Sequence, residues 1–310
     1  MAAKAKVKPQ RRPSAEPAAG SLGGWRRGAR ARLRSSGNET PGVDADLIAA
    51  HVLGISRIQL ILQSDRALTP SEKRRLTHLL IKRAERVPLQ YLLQDVEFSG
   101  LRLEVRRGVF IPRPETEGLV ERVLALLPPT PGWIADIGTG TGAIALALAF
   151  ARPDLRVVAT DISEAAIRQA RRNAKHLGLE NRVTFVTGDL TGPLESRWKR
   201  ELLAVVSNPP YIAFAERTML PSDVVLHEPH EALFAREQGM AAIRRLAGRA
   251  VKLLGPDGFL ALEIGEGQRD RVARTLHRAG HWARIRIERD LAGKDRYAIA
   301  ERTIWPSGDL

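Results

Sequence analysis

Apolar residues in the second half of the chain form two alternating patterns, short continuous runs and segments with apolar positions three or four residues apart. The runs have the length of strands, and the spaced segments have the period of a helix. Repeated strand–helix units predict an α/β fold with a largely parallel sheet and helices on both faces. The predicted strands are 133–138, 155–161, 182–189, 202–208 and 258–265, the helices are 143–151, 163–178, 239–255 and 269–280, and 283–290 with 296–302 form a closing antiparallel pair.

The part of the chain before this alternation has a different pattern. Helical spacing at 44–54 and 69–88 predicts short helices, so residues 41–93 are interpreted as a small helical domain. Alternating apolar positions indicate a hairpin linker at 94–112, which is followed by the α/β domain at 113–310.

Residues 1–40 hold ten Lys and Arg but two acidic residues, and thus +8 of the formal net charge of +14. Large apolar residues are few there, so the segment is predicted to be a disordered basic tail. A solvated extension is the simpler interpretation of such a charge run. A weak contact with RNA or ribosomes is the alternative, because positive charge raises encounter rates with polyanions.

The composition excludes several classes of protein. The chain has no cysteine, which excludes disulfides, thiolate zinc sites and a cysteine nucleophile. No apolar run reaches the ~18 residues of a membrane span. We therefore expect a cytoplasmic protein with no membrane partner. The Arg-rich, acid-poor start leaves import into an organelle as an alternative.

A glycine-rich loop follows the first predicted strand and consists of Gly138, Thr139, Gly140, Thr141 and Gly142. Glycines let the backbone turn tightly and approach a ligand without a Cβ between them. The next helix presents free N–H groups, and open α/β sheets bind ligands at such strand ends. The spacing suits S-adenosylmethionine but also satisfies the fingerprint of a dinucleotide site.

Three carboxylates at predicted strand ends favour the methyl donor. Asp161 ends the second strand, where it can accept hydrogen bonds from both ribose hydroxyls of an adenosine. Asp136 precedes the loop and can lie near the positively charged amino end of a methionyl group. Asp189 ends the third strand and can meet the adenine amino group. Simple turn or capping roles remain open for Asp136 and Asp189.

The fourth predicted strand ends in Asn208, Pro209, Pro210 and Tyr211. An amide nitrogen is a poor nucleophile, and a site can help by accepting hydrogen bonds from its NH₂ group. The Asn208 side-chain oxygen and the Pro209 carbonyl are two such acceptors. The prolines stiffen the loop, and Tyr211 offers a flat face for stacking. The motif predicts methylation of a planar amide or amine nitrogen without a general base or a metal, although a Pro-Pro turn would look similar.

Residues 41–302 resemble the HemK/PrmC family of peptide chain release factor glutamine N5-methyltransferases. The segments that carry the resemblance are 44–54, 88–98, 110–117, 136–149, 206–212, 227–233, 258–268 and 290–300. The family usually has Gly at the position of Gln94, and some members have an aromatic residue at that of Leu190.

The resemblance implies a class I methyltransferase domain behind a small helical substrate-recognition domain. It also implies the glutamine of the Gly-Gly-Gln motif of class 1 release factors as acceptor, held by the segment from Asn208 to Tyr211. S-adenosylmethionine would be bound by the glycine loop, Asp161 and the corner of Asp189 and Leu190. The segment 110–117, with Arg113 and Glu115, and the residue Glu228 would lie near the acceptor pocket.

Other functions remain open at this point. A sister family with the same Asn-Pro-Pro-Tyr motif methylates a glutamine of a large-subunit ribosomal protein. The motif also occurs in adenine N6-methyltransferases, which act on the exocyclic amine of a nucleic-acid base. Enzymes that flip a base out of nucleic acid need a large surface to bind it. A net charge of +6 outside the tail offers little for such a surface, so an adenine methyltransferase is less favoured. A non-catalytic RNA-binding protein would need neither the glycine loop nor the Asn208 motif.

Overall fold

The computed structural model describes residues 20–302, which divide into two units, one ending at Leu93 and one beginning at Gln94. The first unit is helical. Its helices are α1 (Leu22–Ser35), α2 (Pro41–Leu53), α3 (Arg57–Leu62), α4 (Pro70–Ala84) and α5 (Leu89–Leu93). Local sequence sets their ends: Thr69 and Glu72 form a capping box before α4, and Gly54 ends α2 in the left-handed region with φ 65°.

Helix α1 lies where the sequence predicted a disordered tail, so that prediction is wrong for residues 22–35. Leu22 and Leu33 are fully buried in the helical unit. The apolar residues of α1 are few but have helical spacing, and their burial against α2 and α4 stabilises the helix. Residues 1–19 lie outside the described residues.

Part of the charge assigned to the tail is paired within the fold. Arg26 forms a two-pronged ion pair with Asp46, with N···O distances of 2.8 and 2.9 Å. Arg30 binds the same carboxylate at 3.1 Å, and together these guanidinium groups hold the Asp46 pKa below its usual value against the opposing effect of burial. Contact of residues 1–40 with RNA or ribosomes stays a prediction.

The second unit contains a hairpin followed by alternating strands and helices. Its strands are β1 (Val96–Phe98), β2 (Leu101–Leu103), β3 (Gly132–Ile137), β4 (Leu155–Asp161), β5 (Val183–Thr187), β6 (Leu202–Ser207), β7 (Ile212–Ala213), β8 (Phe234–Ala235), β9 (Leu254–Glu263), β10 (Trp282–Arg289) and β11 (Asp295–Arg302). Its helices are α6 (Pro114–Leu126), α7 (Ala143–Ala151), α8 (Glu164–His176), α9 (Ser222–His227), α10 (His230–Leu233), α11 (Ala241–Arg249) and α12 (Arg269–Ala279).

Seven strands form one sheet in the order β10-β11-β9-β6-β3-β4-β5. Pairing is parallel from β9 to β5, and β11 runs antiparallel to both of its neighbours. The predicted fold class is confirmed: a mostly parallel α/β sheet with an antiparallel closing strand, preceded by a helical region. Apolar clusters cover both faces of the sheet, so the central strands are buried on both sides.

This topology positions a site at one edge. Parallel strands end at the same edge of a sheet, and the chain leaves β3 toward β4 on one side while β6 lies on the other. Ligands of open α/β sheets bind in the crevice at such a switch point. The three carboxylates and Asn208 singled out from the sequence lie at or within two residues of the ends of β3, β4, β5 and β6.

Gln94 occupies the position where the family usually has glycine, and its φ is 55°. This is the left-handed region, which a residue without a Cβ adopts at least cost. The backbone conformation therefore explains the family's preference. Within residues 20–302, the helices are too short or too polar to cross a membrane.

Candidate active site

A cavity of about 330 Å³ opens at the carboxyl ends of the parallel strands. Of the residues predicted from the sequence, its lining includes Gly138, Thr139, Gly140, Thr141, Asp161, Asp189, Leu190, Asn208 and Pro210. The other predicted residues, Asp136, Gly142, Pro209 and Tyr211, are not part of that lining. The glycine loop and Asn208 thus line the same cavity, and the parts of it next to each are called here the loop end and the Asn208 end.

The glycine loop is held open by backbone geometry. Gly138, Gly140 and Gly142 have φ values of 76°, 57° and 85°, which favour glycine. The Gly138 and Thr139 N–H groups donate to the Thr160 carbonyl at 2.8 and 2.9 Å and so bind the loop to β4. A Cβ at Gly138 or Gly140 would meet no atom within 4 Å, so the space beside these residues is free for a ligand.

Asp136 lies beneath the loop and is fully buried. Its Oδ2 accepts from the Thr139 hydroxyl at 2.6 Å and from the Ala145 N–H at 3.2 Å. No described residue donates to its Oδ1. Burial raises the pKa of this carboxyl to about 7. A buried carboxylate oxygen without a partner is the group that a cationic ligand atom would satisfy.

Asp161 binds the loop from the end of β4. Its Oδ2 accepts from the Gly140 N–H at 2.8 Å, and its Oδ1 accepts from the Ser163 N–H at 2.9 Å. Burial raises its pKa above the usual value, against the effect of these hydrogen bonds. Each oxygen keeps a further lone pair, so the carboxylate can still accept from a ligand hydroxyl.

The corner of Asp189 and Leu190 has a partner that the sequence did not reveal. Both Asp189 oxygens accept from the Arg245 guanidinium, at 3.0 and 2.6 Å. Leu190 has a φ of 49°, and its carbonyl accepts from the Thr160 hydroxyl at 3.0 Å. Asp189 and Arg245 thus line the cavity as a pair, and the contact of Asp189 with an adenine amino group stays a prediction.

Asn208 is held by side chains from distant parts of the chain. Its Nδ2 donates to the Thr116 hydroxyl oxygen at 3.0 Å. The Thr116 hydroxyl in turn donates to Glu263 Oε2 at 2.7 Å. Thr116 and Glu263 are both buried, and burial raises the Glu263 pKa although Thr116, Arg296 and Tyr211 oppose that shift. Thr116 lies in segment 110–117, but nothing in its local pattern revealed the contact.

Tyr211 has two polar partners that the sequence did not reveal. Its hydroxyl donates to Glu263 Oε1 at 3.1 Å, and its carbonyl accepts from the Gln268 side chain at 2.8 Å. A Cβ on Gly239 would lie 2.0 Å from that carbonyl oxygen, so only glycine allows this approach. Tyr211 and Thr116 thus bind the same Glu263 carboxylate, and the stacking of the Tyr211 ring on a substrate stays a prediction.

The segment before α6 covers another side of the cavity, which Phe110 and Pro112 line. The Arg113 guanidinium lies 5.0 Å from the centre of the Phe110 ring and forms an ion pair with Glu228. The Glu228 carboxylate also accepts from the Ile111 N–H at 3.3 Å. Arg113 and Glu228 therefore fasten this segment to the turn between α9 and α10.

Comparison with known proteins identifies both units. Residues 24–93 match the family model described as "PrmC N-terminal domain", and residues 116–243 match "Methyltransferase small domain". The release factor glutamine methyltransferase of Moorella thermoacetica is 41% identical over 272 residues, which cover 87% of this chain and 95% of that protein. The chain belongs to the release factor glutamine methyltransferase family. The family member from Mycolicibacterium smegmatis is 40% identical and covers 88% of this chain and 95% of its own length.

Solved structures agree on the fold. The hMettl16 catalytic domain, solved in complex with MAT2A 3'UTR hairpin 6, has a TM-score of 0.55 and 16% identity and covers 75% of this chain and 84% of that one. At this level of identity the similarity concerns the fold alone, which is that of a methyltransferase. The resemblance to the release factor glutamine methyltransferase family is confirmed by the sequence relatives.

Proposed function

We propose that this protein transfers a methyl group from S-adenosylmethionine to the side-chain amide nitrogen, N5, of the glutamine in the Gly-Gly-Gln motif of class 1 peptide chain release factors. Membership of the family supports the reaction and the acceptor. The observation that carries the proposal for the site is the Asn208 carboxamide, whose Nδ2 is bound to Thr116 and which lines the cavity.

The residues at the loop end fit the methyl donor. The unpartnered Oδ1 of Asp136 suits an ammonium group, and the Asp161 carboxylate suits the ribose hydroxyls. Gly138 and Gly140 leave space for close approach of a ligand. When bound, S-adenosylmethionine would supply the electrophilic methyl group on its sulfonium sulfur, and S-adenosylhomocysteine would be the leaving group.

The acceptor end supplies hydrogen-bond acceptors. The Asn208 Oδ1 and the Pro209 carbonyl would accept the two N–H groups of the glutamine amide and hold its nitrogen in one orientation. Such positioning can contribute up to ~7–11 kcal/mol when alignment is ideal. The amide nitrogen gains one methyl group and loses one proton to water, so this chain needs no general base.

The test is transfer of a radiolabelled methyl group to a purified class 1 release factor. We expect label in the wild-type factor and none in a factor whose Gly-Gly-Gln glutamine is replaced by alanine. Duplex DNA, RNA and a large-subunit ribosomal protein serve as competing acceptors. Label in any of these, with none in the release factor, would contradict the proposed acceptor.

A further inference from the structure

The orientation of the Asn208 side-chain amide decides whether it can hold the amide of the acceptor glutamine. A carboxamide has an oxygen end that accepts and an NH₂ end that donates. The glutamine amide nitrogen has two hydrogens to donate. Asn208 can therefore bind it only if Oδ1, and not Nδ2, is turned toward the cavity.

The hydrogen bonds behind Asn208 set that orientation. A threonine hydroxyl has one proton, and Thr116 donates it to Glu263 Oε2 at 2.7 Å. The Thr116 oxygen can then only accept a hydrogen bond from Asn208. The NH₂ group of Asn208 can donate that bond, whereas its carbonyl oxygen cannot. The Nδ2 of Asn208 lies 3.0 Å from this oxygen, as that rule requires.

Glu263 is kept as the acceptor of this chain of hydrogen bonds. In the ionised form both of its oxygens are acceptors, and the second, Oε1, accepts from the Tyr211 hydroxyl at 3.1 Å. The carboxylate ends β9, 1% exposed, and Thr116 is 4% exposed in the first turn of α6. Both side chains are thus largely withdrawn from solvent, and with Glu263 ionised the hydrogen bonds run from Asn208 through Thr116 to Glu263.

We infer that Glu263 and Thr116 are positioning residues for the proposed methyl transfer, because together they hold the Asn208 amide with its oxygen toward the acceptor glutamine. Neither residue is required to touch the reacting atoms. The inference rests on the proposed function for its catalytic consequence, but the amide orientation itself can be observed without any reaction.

Glu263→Gln is the sharpest variant because it changes the shape least. The new NH₂ group can donate to Thr116, which leaves the Thr116 proton free for Asn208 Oδ1. Asn208 would then turn its NH₂ end to the cavity. We expect kcat for release factor methylation to fall about 10–100-fold, the effect of losing a well-placed hydrogen bond, while the cofactor Kd stays close to that of the wild-type.

Thr116→Val and Thr116→Ser form a matched pair. Valine removes the hydroxyl at nearly constant shape, and we expect a loss of kcat similar to that of Glu263→Gln. Serine keeps the hydroxyl, and we expect it to restore most of the wild-type kcat. Thr275→Val, which removes a hydroxyl bound to the Arg271 carbonyl in α12, is the control for a general effect on packing. Thermal unfolding confirms that each variant is folded.

A direct readout uses ¹⁵N-asparagine labelling, because the chain has four asparagines, Asn38, Asn173, Asn181 and Asn208. Asn208→Ala assigns the Asn208 side-chain NH₂ signals. We expect Glu263→Gln and Thr116→Val to shift these signals and to leave those of the other three in place. Unchanged Asn208 signals together with wild-type kcat in both variants would overturn the inference. If the wild-type enzyme methylates no release factor, the proposed function fails, and the NMR spectra still decide whether Glu263 and Thr116 orient Asn208.

Discussion

The two ends of the cavity are built in different ways. At the cofactor end, backbone N–H groups of the glycine loop bind β4, and the Asp161 carboxylate reaches a loop residue 21 positions away. At the acceptor end, side chains far apart in the chain hold one another: Thr116 is 92 positions from Asn208 and 147 from Glu263. The glycine loop is therefore set by one strand–loop–helix unit and the strand after it, whereas the acceptor end depends on the completed fold.

Because the two ends are built differently, we expect substitutions at each end to affect a different property of the enzyme. The loop depends on glycine conformation and on single carboxylates, so a substitution there should change cofactor affinity without altering the acceptor end. The acceptor end depends on a donor–acceptor order, so changing one member should change the rate. Four measurements test this separation.

The largest expected effect is on the acceptor side. Asn208→Ala removes the side-chain oxygen that would hold the glutamine amide. We expect kcat to fall about 10²–10³-fold, as when one positioned hydrogen-bonding group is removed from an active site. Single-turnover methyl transfer measures the rate, and calorimetry with S-adenosylmethionine should show nearly unchanged affinity. Wild-type transfer by this variant would contradict the proposed role of Asn208.

The second effect is on the cofactor side. Asp161→Ala removes the carboxylate that binds Gly140 and would bind the ribose. We expect the Kd for S-adenosylmethionine to rise about 10–100-fold, the range for hydrogen bonds to a charged group. At saturating cofactor, kcat should remain close to the wild-type value.

Asp154→Ala is the matched control for that variant. Asp154 directly precedes β4 at the opposite edge of the sheet and pairs with Arg152 at 2.6 Å. Its loss should leave the Kd unchanged. If Asp161→Ala lowered kcat at saturation as strongly as Asn208→Ala, the two ends would not be separable.

A pH effect of intermediate size follows from Asp136. Its pKa is raised to about 7, so the carboxyl is protonated below that pH and ionised above it. A cationic group beside Oδ1 favours the ionised form, and cofactor binding should therefore strengthen as pH rises through 7. Below pH 7 we expect the affinity to fall by up to about tenfold per pH unit. Calorimetry between pH 5.5 and 8 measures this slope, which Asp136→Asn should abolish; an equal slope in that variant would assign it to another group.

The smallest effect concerns Tyr211. Tyr211→Phe keeps the ring but removes the hydroxyl that binds Glu263. We expect kcat to fall about 2–10-fold, the effect of one neutral donor. If the ring served only to stack on substrate, as the sequence suggested, phenylalanine would retain full activity. Steady-state kinetics at saturating cofactor separates the two roles.

Much of the fold could be predicted because its signals are local. The strands β3, β4 and β6 and the loop between β3 and α7 follow from apolar runs and from glycines that require positive φ. Helix α1 could not be predicted in the same way, because its Arg26 and Arg30 resemble a solvated tail until Asp46 of another helix is brought beside them.

In the site, too, local signals could be predicted but contacts between distant residues could not. Asp161 and Asn208 could be singled out because Asp161 is the last residue of β4 and Asn208 directly follows β6. The partners of Asp189 and Asn208 could not, since Arg245 and Thr116 belong to helices that reach these residues only in the folded unit. The bonds of Tyr211 to Glu263 and Gln268 could not be predicted either, because sequence order does not state which way a side chain turns.

The acceptor-only character of the Asn208 corner has a consequence for damaged substrate. Hydrolysis of a glutamine side chain to glutamate replaces two N–H donors by oxygen, and that oxygen would face the Asn208 carbonyl lone pairs with no proton between them. A release factor that has undergone deamidation at this position would therefore be repelled rather than bound. The corner would thus act as a check on the chemical integrity of the residue before it is modified.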